Sequence, residues 1–209
     1  SGDEIVRQLG EFGVSEQFIR LSTGLTRINV KVKATSEETE SNGHGPIISD
    51  DELQALYTQL DTLQDNDILV LAGSIPSSLP SDMYELIMQR MESKNIRIIV
   101  DATKDLLTKV LPYKPFLIKP NNHELSEIFG RPLSTQDDLV AAAKELQIQG
   151  AQHLLISMAG DGAILISADG QVFTSLAPKG TLINSVGAGD SMVAGFITGY
   201  EQSNGDLQE

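Results

Sequence analysis

The sequence predicts an α/β fold: a mostly parallel sheet with helices on both faces, three layers in all, plus a small β lid. Three observations carry this. From residue 50 onward, short continuous apolar runs (Ile68–Leu71, Ile96–Val100, Phe116–Ile118 and His153–Ser157) alternate with stretches of helical periodicity. Strands buried on both faces lack polar alternation, and helices between them supply the crossovers of a parallel sheet. Upstream, residues 26–33 alternate strictly, with Ile28, Val30 and Val32 on one face and Arg27, Asn29, Lys31 and Lys33 on the other. Near the end, Gly187-Ala188-Gly189 runs into Asp190 and then into an apolar helical pattern.

Taken in order, Ile5, Val6, Leu9 and Phe12 form an amphipathic helix face that stops near Gly10–Gly13. The alternating segment at 26–33 is a strand with a wet, basic face. The polar, turn-rich stretch from Glu37 to Pro46 supplies a short partner strand and a connection. Helices follow on Leu53, Leu56, Tyr57 and Leu60, then on Tyr84, Ile87, Met88 and Met91, and then around Lys104–Leu111. Two more cover Asn122–Phe129 and Thr135–Gln147. Ala163–Ser167 and Gln171–Ser175 flank Ala168-Asp169-Gly170, a hairpin turn. Met192, Val193, Phe196, Ile197 and Tyr200 form the buried stripe of a last helix that begins within Gly187–Asp190. Residues 1–209 read as a single domain, with residues 24–48 contributing the lid.

Composition narrows the function classes. Hydrophobic residues make up 40% and charged residues 21%, which is ordinary for a globular chain long enough to build a core. The net charge of −14 works against a nucleic-acid partner or an anionic membrane surface, although a locally basic pocket can still take an anionic small molecule. There is no cysteine, hence no disulfide framework and no thiolate metal site, which fits a cytoplasmic protein. His44, His123 and His153 are too scattered for a zinc signature, so surface or packing roles are expected of them. The chain opens Ser1-Gly2-Asp3 directly into a helical pattern and reads as a piece of a longer protein.

In an open α/β sheet, ligands sit beyond the carboxyl ends of the parallel strands. Chain order puts Gly73-Ser74, Asp101, Lys119–Glu124 and Ser157–Gly162 there, and the helix start at Gly187–Asp190 completes the rim. Backbone N–H groups at such a helix start, with the positive end of its dipole, suit a phosphate-like anion. Asp190 places a carboxylate beside that site; alternatively it only complements the dipole, a contribution of roughly 0.3–1 kcal/mol. Asn121 and Glu124 have the spacing of a capping box, and equally that of two oxygen donors holding a hydrated Mg²⁺ through water. Ser157-Met158-Ala159-Gly160-Asp161-Gly162 is either a plain turn or a loop whose amides meet nucleotide phosphates.

Together these residues resemble the ribokinase-like family of small-molecule kinases, in its phosphosugar branch. The segment Asn184–Ile197, centred on Gly187-Ala188-Gly189-Asp190, resembles the family's C-terminal signature. Lys119-Pro120-Asn121-Asn122-His123-Glu124 resembles its Asn-x-x-Glu motif, and Ser157–Gly162 its nucleotide loop, with Ala159 standing where glycine is usual. Within the branch, Thr26–Lys31, Asn42–Pro46 and Ala72–Pro76 resemble the bacterial 1-phosphofructokinase group, with tagatose-6-phosphate kinases as the near alternative.

The resemblance implies ATP-dependent transfer of a phosphoryl group to the 6-hydroxyl of fructose 1-phosphate or of a related phosphorylated ketohexose. Asp190 is then the base, with an anion hole at Gly187, Ala188 and Gly189. Ser157, Met158, Ala159, Gly160, Asp161, Gly162 and Gly189 meet ATP. Arg27, Asn29, Ser74 and Asp190 meet the sugar phosphate, and Asn121 and Glu124 serve Mg²⁺ through water. Edge strands in the lid invite pairing with a second copy as a homodimer. The family's early sugar-binding segment and its last helices have no counterpart here, so the isolated chain is expected to be inactive. A non-catalytic nucleotide-binding fragment is the alternative of another class.

Overall fold

The computed structural model describes residues 2–33, 38–43, 45–181 and 184–207. They gather into two compact units, residues 1–63 with 75–83, and residues 64–74 with 84–209.

The first unit holds helix α1 (Gly2–Glu11), the antiparallel pair β1 (Asn29–Lys33) and β2 (Glu38–Asn42), and helix α2 (Asp50–Asp61). Helix α1 forms where periodicity places it, but it buries no residue, and Ile5 is exposed. Surface pairs support it instead: Arg7 bonds Glu4 and Glu11 at i,i+3 and i,i+4 spacing, and Arg20 reaches Asp3 at 2.6 Å. Strand β1 starts at Asn29 rather than at Thr26. Ile28, Val30 and Val32, expected to share a sheltered face, are all exposed within this unit, because a two-stranded ribbon has no second layer of its own. A capping box between Ser49 and Glu52 starts α2, and the Ser22 N–H also donates to Glu52 at 2.9 Å. His44 and the residues around 34–37 lie outside the described residues.

The second unit is a six-stranded sheet in the order β3 (Ile68–Ala72), β4 (Arg97–Asp101), β5 (Leu117–Ile118), β6 (His153–Ser157), β7 (Ala163–Ile166) and β8 (Val172–Ser175). The first four strands run parallel. The last three form an antiparallel meander that turns at Asp169-Gly170. Its helices are α3 (Met83–Met91), α4 (Lys104–Lys109), α5 (Asn122–Ile128), α6 (Gln136–Gln149) and α7 (Ala188–Gln202). A 3-10 turn at Leu111–Tyr113 follows α4, where sequence periodicity expects the helix to run on to Leu111; Pro112 cannot donate to a continued helix.

Side chains alternate across the sheet. Ile99, Leu117 and Leu155 pack with Phe116 against Val193, Phe196 and Tyr200 of α7. Residues of the opposite parity, Ile98, Val100, Ile118, Leu154 and Ile156, are buried on the other face, where α6 with its buried Ala142, Ala143 and Leu146 lies along β6 and β7. Helices therefore cover both faces, as the continuous apolar strands require. Among the described residues no helix is long and apolar enough to cross a membrane.

One titratable group belongs to this core. His153, 6% exposed, packs against Phe116 at 4.8 Å and Tyr200 at 6.0 Å between ring centroids, and Arg97 lies over the Phe116 and Tyr200 rings while pairing with Glu201. His153 Nδ1 accepts the Ala168 N–H at 3.2 Å, which leaves the proton of the neutral ring on Nε2. Burial holds its pKa below the ordinary 6.5, with the Asp169 charge pulling upward.

A folded pKa below the unfolded one makes stability complete above pH 6.5. As pH falls below that value the unfolded chain takes up the proton first, so stability declines until the folded pKa is passed. The urea midpoint is expected to fall between about pH 7 and 5.5 more steeply in the parent protein than in His153→Phe. Parallel pH profiles would contradict this role.

Candidate active site

The parallel strands end on one edge, and each end carries a polar group. Beyond β3, Gly73 takes φ +83° and its N–H donates to the Asp101 carbonyl at 3.1 Å, while Tyr84 Oη donates to the Gly73 carbonyl at 3.0 Å. Ser74, which follows, is exposed. Asp101 closes β4. Lys119 follows β5, its N–H donating to the Val100 carbonyl at 3.2 Å. Past Pro120, Asn121 bridges to Ser157 at the end of β6, and the Ser157 N–H donates to the Pro120 carbonyl at 3.1 Å. Neighbouring strands thus draw together four segments that lie far apart in sequence.

At the middle of this edge, Lys119 Nζ stands 3.1 Å from Asp101 Oδ1, with the two side chains 7% and 19% exposed. Burial pushes the Asp101 carboxyl above its ordinary range. The Lys119 ammonium pulls it back by charge and hydrogen bond, and the charge of Asp190 adds to the upward push. Helix α7 begins directly over this pair: a Cβ placed on Gly189 would lie 3.2 Å from Lys119 Nζ and 3.9 Å from Asp101 Oδ2. Gly189 therefore lets the helix start approach the ammonium closely.

Gly187 caps α7 in the left-handed region, φ +78°, without a side-chain cap. The first amides of a helix have no partner within it. Ala188 donates to the Ser185 carbonyl at 3.2 Å, which takes its amide out of the hole expected at Gly187, Ala188 and Gly189; helix geometry leaves the Gly189 amide and adds that of Asp190, next in the first turn. Asp190, in the first turn, has an exposed side chain.

The loop at Ser157–Gly162 is tied by its own backbone: Met158 N–H to Gly162 O at 2.9 Å, Asp161 N–H to Met158 O at 3.0 Å, and Gly162 N–H to Ala159 O at 3.2 Å. Ala159 sits at φ +50°. Its departure from the usual glycine thus falls at a position where a side chain carries a conformational cost of about 1–2 kcal/mol.

Asn121 and Glu124 make both halves of the capping box, each bond 2.8 Å, so Asn121 Oδ1 and one Glu124 oxygen serve the start of α5. Among the described residues no group of three or more His, Asp or Glu side chains converges to hold a bare metal ion. A hydrated Mg²⁺ keeps most of its waters, and the Glu124 oxygen that the capping box does not use is a group at this corner able to meet one of them.

Arg27 and Asn29 lie in the first unit. The Gly43 N–H donates to the Ile28 carbonyl at 3.3 Å, and Asn29 pairs with Asn42 in register. Gly43 and Gly45 both run against the Arg27 side chain, where added Cβ atoms would come within 3.4 and 3.9 Å of it. Sequence reading places Asp101 and Lys119 on the rim but neither pairs them nor gives them a role; the ion pair comes from the structure. Its signal was present all the same, as charged residues closing two otherwise apolar strands.

A pattern for pfkB family carbohydrate kinases matches residues 1–209. The chain belongs to this family. Among similar proteins, the 1-phosphofructokinase of Bacillus subtilis is 48% identical over 202 residues, 97% of this chain and 66% of that protein. The D-tagatose-1-phosphate kinase of Bacillus licheniformis is 33% identical over 175 residues, 83% of this chain and 57% of its own length. The solved phosphofructokinase-2 of Escherichia coli in complex with fructose-6-phosphate matches with a TM-score of 0.85 at 28% identity, covering 99% of this chain and 68% of that one. The pfkB chain described here spans about two thirds of the length of the curated relatives it matches.

Proposed function

We propose that the protein to which this chain belongs transfers the γ-phosphoryl group of ATP to the 6-hydroxyl of fructose 1-phosphate, giving fructose 1,6-bisphosphate and ADP. The observation that carries the reading is the start of α7, where Gly189 stands against the Lys119 ammonium and Asp190 occupies the first turn. The 48% identity to a 1-phosphofructokinase supports the choice of substrate. In this reading residues 1–209 form part of one domain, with residues 24–48 as its lid, and it is a cytoplasmic enzyme.

Asp190 takes the proton of the 6-hydroxyl as that oxygen bonds to the γ-phosphorus and the bond to the β-phosphate oxygen breaks. Phosphoryl transfer asks little covalent chemistry of the protein and much positioning and charge stabilisation. The Gly189 and Asp190 amides face the growing negative charge, and preorganised donors of this kind are the strongest tool for such a step. Within Ser157–Gly162 the nucleotide phosphates meet the Ala159 and Gly160 amides, which the loop's own backbone bonds do not use. Mg²⁺, when bound, neutralises phosphate charge, with Asn121 and Glu124 orienting its waters. Arg27 grips the phosphate of the substrate, Asn29 and Ser74 bond the sugar, and the exposed apolar face of β1 pairs with a second copy.

Arg27→Ala in the complete enzyme is expected to raise KM for the phosphorylated sugar by roughly ten-fold or more, with kcat changed less, since one charge-assisted contact is lost. An unchanged KM would move the phosphate site elsewhere. A tagatose phosphate is the second substrate reading, favoured by the D-tagatose-1-phosphate kinase among the relatives. The deciding experiment is kcat/KM of the complete enzyme on fructose 1-phosphate, fructose 6-phosphate and tagatose 6-phosphate, with tagatose 1-phosphate added. Fructose 1-phosphate is expected to lead; a lead for any other sugar overturns the assignment, and turnover of none favours a nucleotide-binding remnant.

A further inference from the structure

At the end of the sheet opposite Asp101 and Lys119, the second unit contains a cavity of about 230 Å³. Met88 and Met91 of α3 and Ile98 of β4 form its apolar floor, and Lys94, Tyr113 and Lys114 stand around it. We propose that this cavity is a binding site for a small organic anion with a flat apolar body, one or two fused rings in size.

Three features argue for that ligand. The first is size: drug-sized ligands occupy about 300–1,000 Å³, so this space suits a smaller molecule. The second is the chemistry of the floor. Methionine side chains are unbranched and polarisable, adapt to the outline of a ring, and make favourable sulfur–aromatic contacts. The Tyr113 ring offers a further flat surface, and stacking against it adds to area burial.

The third is charge. In a chain of net charge −14, Lys94 and Lys114 both line this cavity, beside a single carboxylate, that of Glu92. Lys114 is held there at some cost. Its backbone is left-handed, φ 55° and ψ 59°, a conformation that burdens a residue with a side chain. Two bonds hold it in place: the Lys114 N–H donates to the Leu111 carbonyl at 2.9 Å, and Gln152 Nε2 donates to the Lys114 carbonyl at 3.1 Å. Among the described residues its ammonium forms no ion pair. A turn serving only the backbone would do better with glycine at this position. What lysine adds is a cation on the lining of a cavity that Met88, Met91 and Ile98 also line.

Nothing in this site depends on the chemistry at the Asp190 rim. The probe is naphthalene-1-sulfonate, with 1-naphthol as its uncharged counterpart. The chain has five methionines, so methyl-labelled methionine NMR reads the cavity directly. Naphthalene-1-sulfonate is expected to shift Met88 and Met91 saturably while Met158 and Met192 stay in place. Lys114→Glu should weaken that binding by roughly ten-fold.

Lys114→Gly, which accepts the left-handed backbone without strain, should fold at least as well and also bind more weakly. Shifts spread over all five methionines, or failing to saturate, would overturn the site. Equal affinity for 1-naphthol, or indifference to both Lys114 variants, would overturn its preference for an anion.

Discussion

Replacing Asp190 by Asn in the complete enzyme is expected to lower kcat by about 10²–10⁴-fold, the usual worth of a positioned general base, with ATP affinity near that of the parent. The substitution is nearly isosteric and falls on an exposed side chain in the first turn of α7, so the fold has little reason to respond. The backbone amides that face the anion remain. What disappears is the proposed proton acceptor and one negative charge. Because the Asp190 charge helps to raise the Asp101 carboxyl, its removal should also lower the Asp101 pKa, which NMR titration of carboxyl carbons would read. Steady-state kinetics with calorimetric ATP binding makes the test complete. Near-normal turnover would remove Asp190 as the base, whereas lost ATP binding would assign it to the nucleotide instead.

The largest effect on stability is expected at Gly150→Ala, a loss of roughly 3–5 kcal/mol when backbone strain and overpacking are combined. Gly150 ends α6 at φ +138°, and a Cβ there would stand 1.9 Å from the Leu111 carbonyl oxygen. Neither side can give way cheaply. Gly150 is bonded back to Gln147 and leads through buried Ala151 into the central strand β6, while Leu111 belongs to the 3-10 turn that Pro112 stiffens. Gly13→Ala is the matched control: it too has a positive φ, +70°, but open space where the Cβ would go, so only backbone strain of about 1–2 kcal/mol is at stake. Urea denaturation of both variants separates the two costs, and a Gly150→Ala loss no larger than that of Gly13→Ala would show that the backbone contact relaxes freely.

Much of the second unit was legible because its signals are local. Continuous apolar runs became buried strands, Asp169-Gly170 became a hairpin turn, and the small residues before Asp190 became a helix start. Asn121 and Glu124 were legible as a capping box, and that box is present. The Asp101–Lys119 pair was harder to foresee, because it depends on β4 and β5 being neighbours, and periodicity along one strand says nothing about which strand lies beside it. In the first unit alternation located the β1 ribbon but could not say whether anything covers its apolar side, and there Ile28, Val30 and Val32 stand exposed. Helix α1 shows the same limit: its stripe is real, but Val6 and Leu9 are only half-buried and Ile5 is exposed.

The parallel order β3-β4-β5-β6 makes the rim a ruler. Adjacent strands lie about 4.8 Å apart, so Ser74, Asp101, Lys119 and Ser157 mark successive graduations, three intervals spanning roughly 14 Å. A ligand laid along this edge meets polar groups at a pitch set by backbone hydrogen bonding rather than by side-chain choice. Substitution can change what each mark says but not where it stands. Moving a contact by less than one interval falls to the loops, which is where glycines 73, 162 and 187 with positive φ are found.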